Sequence, residues 1–399
     1  MERTRQSLLF LFLFMVINDI FDTYTTQLPN VIGSFVILEF GINESILAFM
    51  TSIASIGMYF VFINQFLADF VGRKKMLFVV LFGMGAASFF LGISPSPVFY
   101  TLFLFLLYIF FSSDVWVLIM NEESPDDKRG LFTNLVLVFG VIGAIFIILF
   151  RETLLPSYGW RSMTWFAMLA MPLACLVFLF KESRKFQEFK AIEKEHETSL
   201  KTRIKKIFTH EERVCFLVIF STSFILGLSY VLFALGEPFF KLTKGFSDSD
   251  ISTLILMMGL GAILGYLITA FLLDRLGRKP TVCIYIVVIF VSVFLIIFGD
   301  FTVVLISVIF FSAFYWGLFV ALRIVCIELF PTDIRGVGTG FRSFFFALGF
   351  TVGSLLTGIL SPYIGLGGAF LLFSSISLSI IPLILIFIRE TKGIELKVV

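Results

Sequence analysis

Two aspartates, Asp19 and Asp22, interrupt the first long apolar stretch of the chain, which reads VINDIFDTYTTQLPN. In a helix, three-residue spacing places both carboxylates on one face. Asp19 follows Leu8 by eleven residues, which is about 16 Å of helix and about half the thickness of the hydrocarbon core. Two close carboxylates cannot easily both ionise in a dry site. The pair predicts a proton-coupling group; a packing role through hydrogen bonds to Asn18 or Thr25 is the alternative.

Further polar side chains fall inside apolar stretches, where a charge costs roughly 2.5–3.5 kcal/mol at the membrane centre and therefore needs a reason. Asp114 is a second intramembrane acid that would face a cavity or pair with an arginine. One of Arg323 and Arg342 would bind an anionic substrate or neutralise Asp114 or Asp22, and an inner-gate ion pair is the alternative for each. Tyr24 and Trp116 each lie close to an intramembrane acid. We therefore predict a substrate cavity that contains Asp114, Arg323, Tyr24 and Trp116.

A charged turn occurs twice in the chain. Residues 68–75 read ADFVGRKK and residues 272–280 read LLDRLGRKP, each with an aspartate three residues before Gly-Arg-Lys. An aspartate at the end of a helix can face the positive N-terminal end of a neighbouring helix or pair with arginine. In a membrane protein that opens and closes on its cytoplasmic side, such contacts would form when that side closes and break when it opens. Ordinary positively charged loops are the alternative, but they do not explain the repeated Asp and Gly positions.

Two more charged motifs repeat at nearly the same distance. EESPDDKRG at 122–130 matches ELFPTDIRG at 328–336, and FLFKESRK at 178–185 matches IFIRETKG at 386–393. Three pairs whose offsets agree within three residues indicate an internal duplication, and two parallel six-helix halves are a known transporter architecture. The predicted cytoplasmic gate comprises Asp69, Gly72, Arg73, Glu122, Arg129, Asp274, Arg275, Gly277, Arg278, Glu328, Arg335 and Glu390.

The composition of the chain indicates that the segments carrying these residues lie in a membrane. Apolar residues make up 59% of the chain, charged residues only 15%, and 55 of the 399 residues are phenylalanine. A soluble domain needs more charge on its surface. Two histidines, four scattered cysteines and the lack of a nucleophile or phosphate-binding motif argue against an enzyme. We expect no metal, no cofactor and no nucleic-acid partner.

Apolar stretches of about twenty residues predict transmembrane helices. The basic N-terminus resembles a signal peptide, but its apolar stretch is longer than usual and no small-residue cleavage site follows. We therefore interpret it as the first transmembrane helix. The predicted spans, called span 1 to span 12 below, are 8–30, 45–68, 76–94, 98–121, 131–150, 162–180, 214–236, 251–273, 280–299, 302–327, 337–360 and 367–388.

The distribution of lysine and arginine predicts the orientation. With both termini cytoplasmic, inner segments hold 24 of these residues and outer segments hold four, namely Arg151, Arg161, Lys241 and Lys244. We therefore expect a multi-pass protein of the plasma membrane with both termini inside. The predicted domains are an N-terminal half at 1–180, a cytoplasmic linker at 181–213 and a C-terminal half at 214–399.

The repeated turns resemble the loop signature G-x-x-x-D-R-x-G-R-R/K of the major facilitator superfamily. The E…P…RG turns, the RETKG near the C-terminus and GWR at 159–161 resemble marks of its sugar-porter and organic-acid branches. DIFD in span 1 resembles the DG[FY]D pattern of organic-acid and phosphate:proton symporters, and this resemblance implies that Asp22 is the main proton carrier. The glutamines that sugar porters carry in span 7 are absent from FSTSFILGLSYVLFALG.

This resemblance implies an all-α membrane protein of twelve helices in two pseudo-symmetric halves. It also implies a secondary transporter that works by alternating access, coupled to protons as a symporter and functional as a monomer. A small polar metabolite is the expected substrate, with an organic acid favoured over a sugar or polyol, and drug efflux third. A membrane enzyme or a channel is the alternative from another class, and the two-half repeat disfavours it.

Overall fold

The computed structural model describes residues 5–110, 115–124, 129–179, 200–209, 212–330 and 335–390, and in this part of the chain all regular structure is helical. The helices run Arg5–Gln27, Leu28–Val31, Gly33–Phe40, Glu44–Ser55, Ile56–Tyr59, Phe60–Val71, Arg73–Gly92, Pro97–Ile109, Val115–Glu123, Arg129–Gly140, Ile142–Thr153, Leu155–Tyr158, Trp160–Met163, Thr164–Met168, Ala170–Cys175, Leu176–Leu179, Leu200–Thr209, Arg213–Ser229, Val231–Pro238, Phe239–Thr243, Asp248–Leu276, Arg278–Phe298, Phe301–Leu329, Arg335–Leu378 and Ile381–Phe387.

The predicted spans coincide with these helices. Among the described residues, nine helices are long and apolar enough to cross a membrane, or ten if the bent pair Gly33–Phe40 and Glu44–Tyr59 is one span. One of the nine, Val337–Phe387, contains both span 11 and span 12, and its backbone breaks at Gly365. Span 4 consists of two helices on either side of 111–114. Each of the twelve predicted spans therefore has a helical counterpart.

The chain forms two compact units. One contains Met1–Ile42 and Ile53–Glu197, and the other contains Asn43–Ser52 and Thr198–Val399. The short segment Asn43–Ser52, from the beginning of span 2, thus packs with the second unit. The predicted domain limits stay a prediction, because 180–199 lies outside the described residues.

Glycines bring the helices of the first unit close together. A Cβ on Gly143 would overlap the carbonyl oxygen of Ile20, and a Cβ on Gly140 would overlap the carboxylate of Asp19. In lipid, helices gain little from hydrophobic burial against each other, so small residues that permit close packing are favoured. At the far end of this pair, the buried Arg151 donates from Nη1 to the carbonyl of Val31. Span 1 is therefore fixed to span 5 along its length.

The second unit contains an equivalent helix pair. A Cβ on Gly349 of span 11 would overlap the carbonyl oxygen of Phe224 in span 7, just as Gly143 does with Ile20. Gly143 and Gly349 are 206 residues apart, which lies within the offsets of 205 to 208 between the repeated charged motifs. The duplicated sequence thus corresponds to a duplicated packing contact.

Left-handed glycines repeat at the same distance. Their φ values lie between 61° and 110°, a region that favours glycine because it has no Cβ. They form three pairs, with offsets of 204, 205 and 206 residues. The pairs are Gly41 and Gly245, Gly72 and Gly277, and Gly159 and Gly365. Turns that require glycine therefore occur at matching places in both parts of the sequence, which supports the internal duplication.

Candidate functional site

Asp19 and Asp22 have different surroundings in the first unit. Asp19 is 5% exposed, and its carboxylate lies directly against Gly140. Asp22, one turn later on span 1, remains partly exposed. The close packing at Gly140 accounts for the burial of Asp19, because no side chain separates its carboxylate from the helix of span 5. Asp22 is therefore the less buried of the two acids, and the proton-coupling role of both stays a prediction.

The other predicted cavity residues are spread over the two units. Tyr24 is fully buried, and its hydroxyl donates to the carbonyl of Met163 at 2.6 Å. Trp116 is also buried, whereas Arg323 on span 10 is exposed. Asp114 lies outside the described residues. Tyr24 thus makes a packing contact between span 1 and span 6, and a substrate-binding role for these four residues stays a prediction.

Arg342 provides a buried cation in the second unit. Its side chain is 4% exposed, and its guanidinium carbon lies 4.6 Å from the ring centroid of Phe319. A guanidinium over an aromatic face is stabilised by the ring quadrupole. The sequence suggested Arg342 and Arg323 as candidates to bind an anionic substrate. The structure shows that Arg342 is buried and Arg323 is exposed.

The second Gly-Arg-Lys turn forms an ionic cluster with the ends of three other helices. Arg278 contacts Glu328 through Nη2 at 2.7 Å and through Nε at 3.0 Å, and its Nη1 lies 3.5 Å from Asp274. Glu390 accepts hydrogen bonds from the backbone N–H groups of Arg278, at 2.9 Å, and Lys279, at 3.1 Å. Carboxylates are favourable at a helix N-terminus, and pairs of this kind with arginine are strong. The cluster joins the ends of spans 8, 9, 10 and 12.

Glu390 makes the helix-end contact of this turn, which the sequence predicted for Asp274. The Asp274 side chain is 83% exposed and contacts Arg278 only as an i,i+4 neighbour. Gly277 has φ 99°, and a Cβ on it would lie 2.8 Å from Glu390 Oε2. Glycine is therefore required both by the backbone conformation and by the approach of Glu390. Arg275 is exposed, with its guanidinium carbon 5.5 Å from the Phe271 ring centroid.

The equivalent turn of the first unit also fixes one helix end to another. Gly72 has φ 110°, and Arg73 after it is buried. Lys74 donates from Nζ to the carbonyl of Phe178 at 3.0 Å, close to the C-terminal end of span 6. A cation there complements the negative end of the helix. The side chains of four predicted gate residues lie outside the described part of the structure: Asp69, Glu122, Arg129 and Arg335.

GWR at 159–161 belongs to a cluster that the sequence did not predict. Trp160 and Arg161 both donate to the carboxylate of Glu39. Arg161 also donates to the carbonyl of Ser94 at 2.7 Å, and its guanidinium lies 4.6 Å from the Trp160 ring centroid. These contacts join the ends of spans 3 and 6 to the helix after span 1. In the sequence, the GWR motif marked Trp160 and Arg161, whereas no motif marked Glu39.

The segment Asn43–Ser52 is held in the second unit by specific contacts that the sequence also did not predict. Ser45 donates to the carbonyl of Gly358, and Ser52 donates to the carbonyl of Thr351 at 2.9 Å. A Cβ on Gly358 would lie 2.9 Å from the Phe49 ring. The beginning of span 2 thus fits closely against span 11.

Comparisons with known proteins agree in the class of protein they find. The family model described as Major Facilitator Superfamily matches residues 9–239 and 219–397. The putative niacin/nicotinamide transporter NiaP of Bacillus subtilis (strain 168) is 26% identical over 391 residues, which cover 95% of each chain. The benzoate transport protein of Acinetobacter baylyi is 23% identical over 388 residues, covering 85% of this chain and 80% of its own. Among solved structures, the xylose transporter XylE from E. coli in an inward open conformation has a TM-score of 0.75 at 17% identity, with 98% of each chain covered.

Proposed function

Because this chain belongs to the major facilitator superfamily, we propose that it is a proton-coupled secondary transporter of small organic acids. The predicted fold class and the prediction that the chain is not an enzyme are confirmed, since the relatives and structural neighbours are transporters of this fold. The chain is a multi-pass membrane protein of the plasma membrane. We propose, in addition, the substrate class, the coupling to protons and the cytoplasmic location of both termini.

The substrate class proposed is a monocarboxylate on an aromatic or heteroaromatic ring. The names of the niacin and benzoate transporters, which align with most of this chain, support it. Arg342 also supports it, because a buried guanidinium beside an aromatic ring is suited to a planar carboxylate. The xylose transporter is too distant in sequence to carry a substrate argument, and span 7 lacks the glutamines of sugar porters.

Asp22 is the proposed proton carrier, and the observation that carries this proposal is the contrast within the acid pair. The carboxylate of Asp19 is packed against Gly140, whereas Asp22 is partly exposed one turn away. A carrier must reach water to exchange its proton, and a buried acid close by opposes a second negative charge. Asp22 therefore binds and releases the proton, and Asp19 tunes its affinity.

Accumulation and counterflow in proteoliposomes test this proposal. Labelled nicotinate, benzoate and xylose are supplied with an imposed inward proton gradient, and exchange is measured separately without a gradient. We expect exchange of the two acids and none of xylose. Asp22→Asn should abolish gradient-driven accumulation and retain exchange, whereas Asp19→Asn should mainly shift the pH optimum.

Asp300→Asn is the matched control, because Asp300 caps the helix Phe301–Leu329 through a hydrogen bond from Val303 at 2.9 Å. Asparagine caps helices about as well as aspartate, so this variant should transport like the wild type. Full accumulation by the Asp22→Asn protein would refute the carrier role. Exchange of xylose but not of the acids would refute the substrate class.

A further inference from the structure

The helix Leu200–Thr209 lies in the last part of the predicted linker 181–213, directly before span 7, and is strongly basic. Its sequence, LKTRIKKIFT, contains Lys201, Arg203, Lys205 and Lys206 and no acidic residue. The helix is also amphipathic, because apolar positions recur within it at helical spacing. Such a helix is typical of a membrane surface rather than of a flexible linker.

The described side chains of this helix differ in their exposure. Ile207 is 1% exposed, and the Phe208 ring lies 6.1 Å from that of Phe341 in an edge-to-face contact. Phe208 nevertheless remains 44% exposed, an apolar surface next to a transmembrane helix. Lys205 and Lys206 are exposed. At about 100° per residue, Lys206 lies far from Phe208 around the helix, whereas Lys205, three residues before Phe208, lies next to it at the exposed edge of the apolar face.

Chain length fixes the depth of this helix. The helix ends at Thr209, and span 7 begins with Arg213. Four residues extend at most about 14 Å, and the contact of Phe208 with Phe341 also holds the helix against span 11. The lysines are therefore held close to the end of span 7, where the headgroups lie.

We propose that Leu200–Thr209 lies in the cytoplasmic headgroup layer and binds anionic phospholipid headgroups through Lys205 and Lys206. The proposal rests on the predicted topology, with both termini inside, and does not depend on the transported substrate. The inner leaflet is negatively charged, and each lysine or arginine near it adds attraction. Phe208 adds apolar contact with the acyl chains, which a free anion or a nucleic acid would not use.

Lipid selectivity of the purified protein tests this assignment. The protein is reconstituted into nanodiscs with phosphatidylcholine and a varied fraction of phosphatidylglycerol, and the retained lipids are counted by native mass spectrometry. At about 1 kcal/mol for each cation, the double variant Lys205→Gln/Lys206→Gln should lose up to about thirtyfold in preference for phosphatidylglycerol. Lys205→Arg/Lys206→Arg keeps both charges and should retain the preference.

Three outcomes would overturn the proposal. They are an unchanged preference in the glutamine variant, a loss in the arginine variant, and displacement of phosphatidylglycerol by millimolar inorganic phosphate. If the glutamine variant does not fold, the wild type is measured at low and high salt, because salt screens charges at a surface. A preference that salt leaves unchanged would then count against the proposal. No readout uses transport, so this proposal can fail without the proposed function.

Discussion

Neutralising Glu328 should weaken the ionic cluster more than neutralising Asp274 does. The Arg278 and Glu328 side chains are only 14% and 19% exposed, and Glu328 accepts from both Nε and Nη2. A hydrogen bond to a charged group contributes about 1.5–3 kcal/mol. Glu328→Gln keeps one acceptor oxygen and loses the charge, so we expect a loss of about that size in the conformation that holds the contact. Asp274 is 83% exposed, so Asp274→Asn should cost no more than about 1 kcal/mol.

A double-mutant cycle measures this difference. The variants are Glu328→Gln, Arg278→Gln and the double variant, with Asp274→Asn in place of Glu328→Gln as the matched comparison. Thermal unfolding in detergent gives the coupling free energy, and exchange rates in proteoliposomes show whether the contact also limits turnover. Losses that add within about 0.3–0.5 kcal/mol for Glu328 and Arg278, or an equal coupling for Asp274, would contradict the reasoning.

Glycine substitutions supply two more predictions. Gly277→Ala should lower the melting temperature more than Gly41→Ala. Both residues are left-handed, but only Gly277 also has a carboxylate within 4 Å of the added Cβ. An equal decrease would argue against the Glu390 contact. Gly358→Leu should displace the Phe49 ring and speed labelling of a cysteine introduced into Asn43–Ser52. Gly259→Leu, which has open space at its Cβ, should not. Equal labelling rates in the two leucine variants would refute this packing argument.

The spans were predictable from the sequence because lipid imposes a simple requirement. A helix that crosses the hydrocarbon core needs about twenty apolar residues and must satisfy its own backbone groups. Charged residues at the ends of these stretches then mark the turns. The repeated motif in the sequence indicated Gly72 and Gly277, and both glycines have positive φ in the structure.

Contacts between distant residues could not be predicted in the same way. Glu39 and Arg161 are 122 positions apart, and no periodicity relates them. The motif around Glu390 was recognised, but capping of the helix at Arg278 depends on the direction of the chain after span 12. The packing of Asn43–Ser52 with the second unit was missed because hydropathy reports a span and not its neighbours.

The matched glycines have an evolutionary consequence. The shift of 206 residues that relates Gly143 to Gly349 also relates Asp19 to Ile225 and Gly140 to Phe346. One copy of the duplicated helix pair thus holds an acid against a glycine, and the other holds two bulky apolar residues. The ancestral framework survived in both copies, whereas only one copy carries carboxylates inside it. The second half therefore shows, in the same molecule, how the equivalent helix pair packs without carboxylates.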